Sequence, residues 1–149
     1  MPTKSDYGKV LKYDFSLNTA MDISVYSLLA IANRAQSLMT EGGNIITMSY
    51  YGGEKVMPGY NLMGLCKSAL ETAVRYAAFE LGEKGISINA ISAGPMKTLA
   101  ASAVGDFKNM LGLYGNNSPM KRNIDGNDVD ALAKFLLSKE SRMITGEVV

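Results

Sequence analysis

Two short apolar runs set the frame for this chain. NIITMS (44–49) and GISINAIS (85–92) carry β-branched residues and are too short for ordinary helices, so they are expected to be buried strands. Between them, from about 60 to 83, Leu62, Cys66, Ala69, Leu70, Ala73, Val74 and Ala77 recur at helical spacing. A second helical pattern, TAMDISVYSLLAIANRAQSLM (19–39), precedes the first run. Its apolar positions are read as Ile23, Tyr26, Leu28, Ile31, Ala35, Leu38 and Met39, and Gly42-Gly43 end it. A third, DGNDVDALAKFLLS, follows the second run with Asp125 or Asn127 as N-cap. Strands alternating with helices predict an α/β fold with a doubly wound parallel sheet and helices on both faces. Residues 103–118 are dotted with glycine and show no clear period, and ITGEVV reads as the approach to a third strand. Two strands and the start of another cannot easily satisfy both sheet edges or bury their flanking helices. The chain therefore reads as part of a domain. Met63, Tyr76 and Phe79 extend the apolar surface of the 60–83 helix, which is expected to be covered both by the sheet and by a partner subunit.

Composition narrows the chemistry. The 149 residues suit a single domain, and the formal charge of +1, from 15 basic and 14 acidic residues, gives no case for nucleic acid or an anionic membrane. No stretch reaches the roughly 20 apolar residues of a membrane span, and the N-terminus lacks the apolar region of a signal peptide, so a cytoplasmic setting is expected. Cys66 is the sole cysteine, which rules out an internal disulfide; it is read as a buried, inert thiol. The chain has no histidine. Ser-His-Asp and Cys-His catalysis and histidine zinc sites are excluded, no metal is expected, and any acid or base must be carboxylate, Lys, Tyr or Cys.

Attention falls on SYYGGEKVMPGYNLMGLCK (49–67). If Tyr60 and Lys67 share the helix, seven residues is two turns, which puts both on one face about 10 Å apart along the axis. A nearby ammonium is expected to lower the phenol's pKa, leaving it ready to donate to a developing oxyanion. Spacing alone favours the plainer arrangement, a tyrosine at the core edge and a solvated lysine. Position favours chemistry. Ser49 and Tyr50 end one strand, Gly94-Pro95 follow the next, and the carboxyl ends of parallel strands are where open α/β sheets bind ligands. Asp125, Asp128 and Asp130 are read as caps and a solvated first turn, and Tyr114 as packing or surface.

These residues resemble a known family. SYYGGEKVMPGYNLMGLCKSALE is similar to the active-site segment of the bacterial enoyl-acyl carrier protein reductases, divergent short-chain dehydrogenase/reductases. The family's pattern of Tyr, nine residues, Tyr, six residues, Lys is filled by Tyr50, Tyr60 and Lys67, whereas the Tyr-x-x-x-Lys of ordinary superfamily members is absent. NAISAGPMKTLAAS resembles the cofactor-contacting segment after the family's sixth strand, and ITGEVV the run into its last.

The resemblance implies a partial Rossmann-like sheet, with residues 1–149 as a single partial domain holding the catalytic half. It implies hydride transfer from NADH to the β-carbon of a trans-2-enoyl thioester on acyl carrier protein, within fatty acid synthesis. Tyr60 would stabilise the enolate and Lys67 would hold the nicotinamide ribose. Tyr50, Tyr60 and Met63 would meet the acyl thioester, and Met96, Lys97, Thr98, Leu99 and Ala100 the nicotinamide end of the cofactor. Residues from about 98 to 116 would form a substrate lid, and the full-length enzyme would be a homotetramer. The family's glycine-rich motif with Ser-Ile-Ala is missing, so the chain is expected to be a fragment truncated at both ends that binds no dinucleotide alone. The alternatives are an inactive, oligomer-forming fragment and a keto or alcohol reductase of the same superfamily. The six-residue Tyr–Lys gap and Tyr50 argue against the latter.

Overall fold

A computed structural model describes Val10, residues 16–98 and residues 107–149. Helix α1 (Ser16–Met21) runs through a π-helical stretch, Asp22–Tyr26, into α2 (Ser27–Ala35). Strand β1 (Gly43–Ser49) follows, then a 3₁₀ turn at Tyr51–Gly53 and the long helix α3 (Asn61–Gly82). Strand β2 (Ile86–Ser92), α4 (Phe107–Asn117), α5 (Gly126–Leu136) and a 3₁₀ turn at Lys139–Ser141 complete the described elements.

The strands are parallel, in register from Gly43 opposite Ile86 to Ser49 opposite Ser92. The third strand foreseen at ITGEVV begins where Val148 bridges Ala90, also parallel. There the Ala90 N–H donates to the Glu147 carbonyl at 2.8 Å and the Val149 N–H to the Ala90 carbonyl at 2.9 Å.

β2 alternates between two covered faces. Ile86, Ile88 and Ala90 join Leu70, Val74, Ala77, Ala78 and Leu81 of α3, with Val25, Leu28 and Ala32 beyond, in one apolar core. Full burial of such side chains contributes roughly 2 kcal/mol for each of the larger ones. On the other face Asn44 Nδ2 donates to Ser87 Oγ at 3.0 Å and to the Leu136 carbonyl at 3.1 Å, tying α5 to the sheet. Helices thus cover both faces, as a doubly wound sheet requires.

The α3 stripe is buried as its period predicts: Leu62, Cys66, Leu70, Val74 and Ala77 are covered, while Tyr76 and Phe79 project outward. The 19–39 segment differs. Ile23 (67 % exposed), Tyr26, Ile31 and Leu38 (84 %) face outward, and the core side is Val25, Leu28 and Ala32, with Met21 and Met39 packed against it. This segment has two apolar stripes about half a turn apart, and the one with Val25, Leu28 and Ala32 joins the core with α3. The π-helical turn, where Ser27 Oγ donates to the Ile23 carbonyl at 2.6 Å, lies between the two halves.

Asp125 is the cap of α5. Its carboxylate accepts from the Asn127 and Asp128 N–H groups, and Asp128 returns the bond to the Asp125 N–H at 2.9 Å. Arg122 forks onto Asp128 at 2.6 and 2.8 Å. That bond, with the Asp125 N–H, holds the Asp128 carboxyl well below the usual range.

Candidate active site

The carboxyl end of β1 delivers three consecutive residues to one place. The Met48 carbonyl accepts from Lys67 Nζ at 2.7 Å. The Ser49 hydroxyl donates to the Glu71 carboxylate. Tyr50, in extended backbone, sets its ring edge-on against Tyr60, with centroids 4.8 Å apart and planes at 67°. Tyr60 is the N-cap of α3 rather than part of its first turn, and Asn61 follows in the left-handed region at φ 35°. Asparagine tolerates that conformation better than most residues.

Two glycines allow this closeness. A Cβ at Gly64 would stand 2.8 Å from the Gly52 carbonyl oxygen, so α3 and the Tyr51–Gly53 turn meet backbone to backbone. A Cβ at Gly52 would run into the Tyr60 ring. Four residues before Lys67, where a Tyr-x-x-x-Lys motif would need its tyrosine, stands the half-buried Met63.

The electrostatics correct one expectation. Lys67 does not lower the Tyr60 pKa. Burial, assisted by Cys66, pushes the Tyr60 phenol up to about 12. The ammonium is directed at the Met48 carbonyl, and no hydrogen bond joins the two side chains. Burial, and then the Tyr114 hydroxyl, also raise the Tyr50 phenol. Burial lowers the Lys67 pKa, while Cys66 and Glu71 push it back up. Burial raises the Cys66 thiol, against the opposing pull of Lys67, in keeping with an inert side chain. The site therefore offers two neutral phenols beside a desolvated ammonium, a set suited to donating hydrogen bonds to an oxygen that becomes negative.

Of the other residues singled out from the sequence, Met96, Lys97 and Thr98 follow β2 at the same, carboxyl end of the sheet as Tyr50, outside any regular element, with Met96 half-buried and the other two exposed. Leu99 and Ala100 lie outside the described residues, as do residues 101–106 of the foreseen lid. The lid's last part, expected to be irregular, is helical in α4.

Tyr114, read from sequence as packing or surface, belongs to the site. Its hydroxyl lies 3.4 Å from that of Tyr50, and Met110, one turn earlier on α4, brings Sδ to 3.4 Å from the same Tyr50 oxygen. Tyr114 also donates to Met57 Sδ at 3.7 Å. Glu71 was likewise not foreseen. The one available signal was a carboxylate in an otherwise apolar stripe, one turn after Lys67.

A profile of the family described as Enoyl-(Acyl carrier protein) reductase matches residues 6–149. The chain belongs to this family. It is 56 % identical over 128 residues to enoyl-acyl-carrier-protein reductase (NADH) 1 of Rhizobium meliloti, covering 86 % of the chain and 47 % of that protein. It is 48 % identical over 144 residues to the corresponding reductase (NADH) of Synechocystis, covering 97 % of the chain and 55 % of the relative. The chain thus spans about half the length of the curated relatives it matches. Among solved structures, the Bacillus cereus enoyl-acyl carrier protein reductase with NADP+ and indole naphthyridinone superimposes with TM-score 0.94 at 42 % identity, over all of this chain and 59 % of that one. The Anaplasma phagocytophilum reductase in complex with NAD gives TM-score 0.92 at 46 % identity, over all of this chain and 58 % of that one.

Proposed function

We propose that this chain is the catalytic portion of an NADH-dependent enoyl-acyl-carrier-protein reductase of fatty acid synthesis, which reduces a trans-2-enoyl thioester held on acyl carrier protein. The observation that carries the reading is the pair of neutral phenols at the end of β1, the buried Tyr50 against the half-buried Tyr60, with Lys67 bound to the Met48 carbonyl two residues before Tyr50. The curated relatives named for NADH support that cofactor.

The residues present fit the nicotinamide end of the dinucleotide. An ammonium has three donors, and Lys67 spends one on Met48, leaving two for vicinal ribose hydroxyls. When bound, NADH supplies the hydride. The chain's own groups do the rest. Tyr60 donates a hydrogen bond to the thioester oxygen as negative charge gathers there, an effect worth about 3 kcal/mol for one well-placed donor. A phenolate would repel that oxygen, so the upward shift of the Tyr60 pKa is the productive direction. Tyr50 and Met63 flank the acyl thioester with Tyr60. Met96, Lys97, Thr98, Leu99 and Ala100 border the nicotinamide, and α4 with Met110 and Tyr114 closes over Tyr50 as part of a lid spanning about 98–116.

The outward stripes of α1–α2 and α3, with Phe79 86 % exposed, are the proposed subunit contacts of a homotetramer. No helix among the described residues is long and apolar enough to cross a membrane, and we place the reaction in the cytoplasm.

The test is NADH oxidation dependent on a 2-enoyl thioester, measured with the complete reductase polypeptide that contains this segment. The reading expects turnover with the enoyl substrate and weaker NADH binding in Lys67→Ala. Turnover of a ketone in its place would move the assignment to the keto reductases, and unchanged NADH affinity in Lys67→Ala would remove that residue's role.

A further inference from the structure

Glu71 is the buried charge that the mechanism above does not use. Its side chain is in the middle of α3 and the residue is only 5 % exposed. Desolvating a lone carboxylate costs several kcal/mol unless something compensates, and among the described residues no ion pair involves Glu71. An apolar side chain at this point of the stripe would be cheaper to bury, so the carboxylate's contribution must lie in what it touches. It accepts from Ser49 Oγ, the residue between the Lys67-bound carbonyl of Met48 and the ring of Tyr50. It also lies under the turn after β1. A Cβ at Gly53 would come within 2.9 Å of Glu71 Oε1 and 3.1 Å of Lys67 Cβ, so Glu71 and Lys67 close on the same spot from successive turns.

We propose that Glu71 is a positioning residue: through Ser49 it braces the strand end that carries Tyr50, and it provides the buried counter-charge that keeps Lys67 an ammonium directed at the Met48 carbonyl. The inference rests on the reading that Lys67 serves the cofactor. Burial works against the charged lysine, while Cys66 and then Glu71 work for it. Of the other ionisable groups around the pair, Cys66 pushes the lysine in the same direction as Glu71. Cys66 and the two site tyrosines are held neutral by burial. Glu54, Arg75 and Glu147 line, with Glu71, an open groove of about 560 Å³ that includes none of Tyr50, Tyr60 or Lys67, and the Arg75 guanidinium donates to Thr72 Oγ1 at 2.9 Å.

Glu71→Gln keeps an acceptor for Ser49 and removes only the charge. The decisive measurement requires no turnover: the pH titration of the Lys67 side chain by carbon NMR in lysine-labelled protein, assigned with Lys67→Arg. The Lys67 midpoint is expected to fall by about one pH unit in Glu71→Gln and to return in Glu71→Asp. In the complete reductase the same substitution should weaken NADH binding more strongly as pH rises, while Ser49→Ala should raise KM for the enoyl thioester and leave the Lys67 midpoint in place. A Glu71→Gln protein with lower thermal stability and an unmoved Lys67 midpoint would reduce Glu71 to a structural residue and overturn the proposal. Should Glu71→Gln fail to fold, an altered Lys67 midpoint in Glu71→Asp, or one displaced by Ser49→Ala, would overturn it equally. If Lys67→Ala leaves NADH affinity intact while Glu71→Gln still moves the midpoint, the cofactor role of Lys67 fails and the Glu71–Lys67 coupling stands.

Discussion

The two ends of α3 are built on opposite terms. Its C-terminal half lays Val74, Ala77, Ala78 and Leu81 against Ile86 and Ile88, and nearly everything it buries is apolar. Its N-terminal half takes Glu71, and in part Tyr60 and Lys67, out of water beside the end of β1, and every one of those groups is costly to desolvate. One end accumulates stability, and the other uses part of it to hold polar groups where they can act. A single helix serves both purposes because it is long: a 22-residue helix spans about 33 Å, so the site and the apolar anchor are separated by several turns.

Substitutions at each end should therefore fail in different ways. The largest effect is expected from Tyr60→Phe in the complete reductase: a fall in kcat of about a hundredfold or more, about 3 kcal/mol, with an unchanged denaturation midpoint. If stability fell with activity, the phenol would belong to the core. Leu81→Ala should show the converse, losing about 3 kcal/mol of stability in urea titration while kcat per folded molecule holds. Gly64→Ala tests the junction between the halves. Its Cβ would press on the Gly52 carbonyl at 2.8 Å, and overpacking of this kind costs about 1–3 kcal/mol. Both stability and activity should drop, because the displaced turn carries Gly52 out from under Tyr60.

The smallest expected effect is on pH dependence. Burial raises the folded-state pKa of Tyr60 from 10.0 to about 12. The unfolded chain loses that proton first, so the stability from the neutral phenol is complete below pH 10 and is lost as pH rises towards 12. The ultraviolet titration of wild type minus Tyr60→Phe should show phenolate only well above pH 10. Phenolate at lower pH would mean that Lys67, and not burial, governs the group. On the outer face, Phe79→Glu should leave monomer stability within about 0.5 kcal/mol and shift the assembly to smaller species in light scattering.

How far the sequence could be read differs between the same two regions and their neighbours. The α3 stripe, both strands and the pairing of the tail were legible, because residues a turn apart on a helix, or successive along a strand, report their own periodicity. The Tyr50, Tyr60 and Lys67 pattern was legible through its place after a strand and its resemblance to the family's, and not through the Tyr60–Lys67 spacing alone. The inward face of α1–α2 was not, since Ile23 and Ile31 are as apolar as Val25 and Leu28. The choice came from packing: Val25, Leu28 and Ala32 share one core with α3 and β2, which come from elsewhere in the chain. Tyr114 was missed because its partner Tyr50 lies 64 residues away in the chain, beyond the reach of any local pattern.

The sequence by itself determined the two strands, the α3 stripe and the family's tyrosine–lysine signature, all of which are carried by residues near one another along the chain. The tertiary structure alone decided the direction of the Tyr60 pKa, the membership of Tyr114 in the site and the place of Glu71 beneath it. The reason is desolvation: whether a phenol, an ammonium or a carboxylate keeps its charge depends on what covers it, and what covers Tyr60, Lys67 and Glu71 comes from β1 and the turn that follows it.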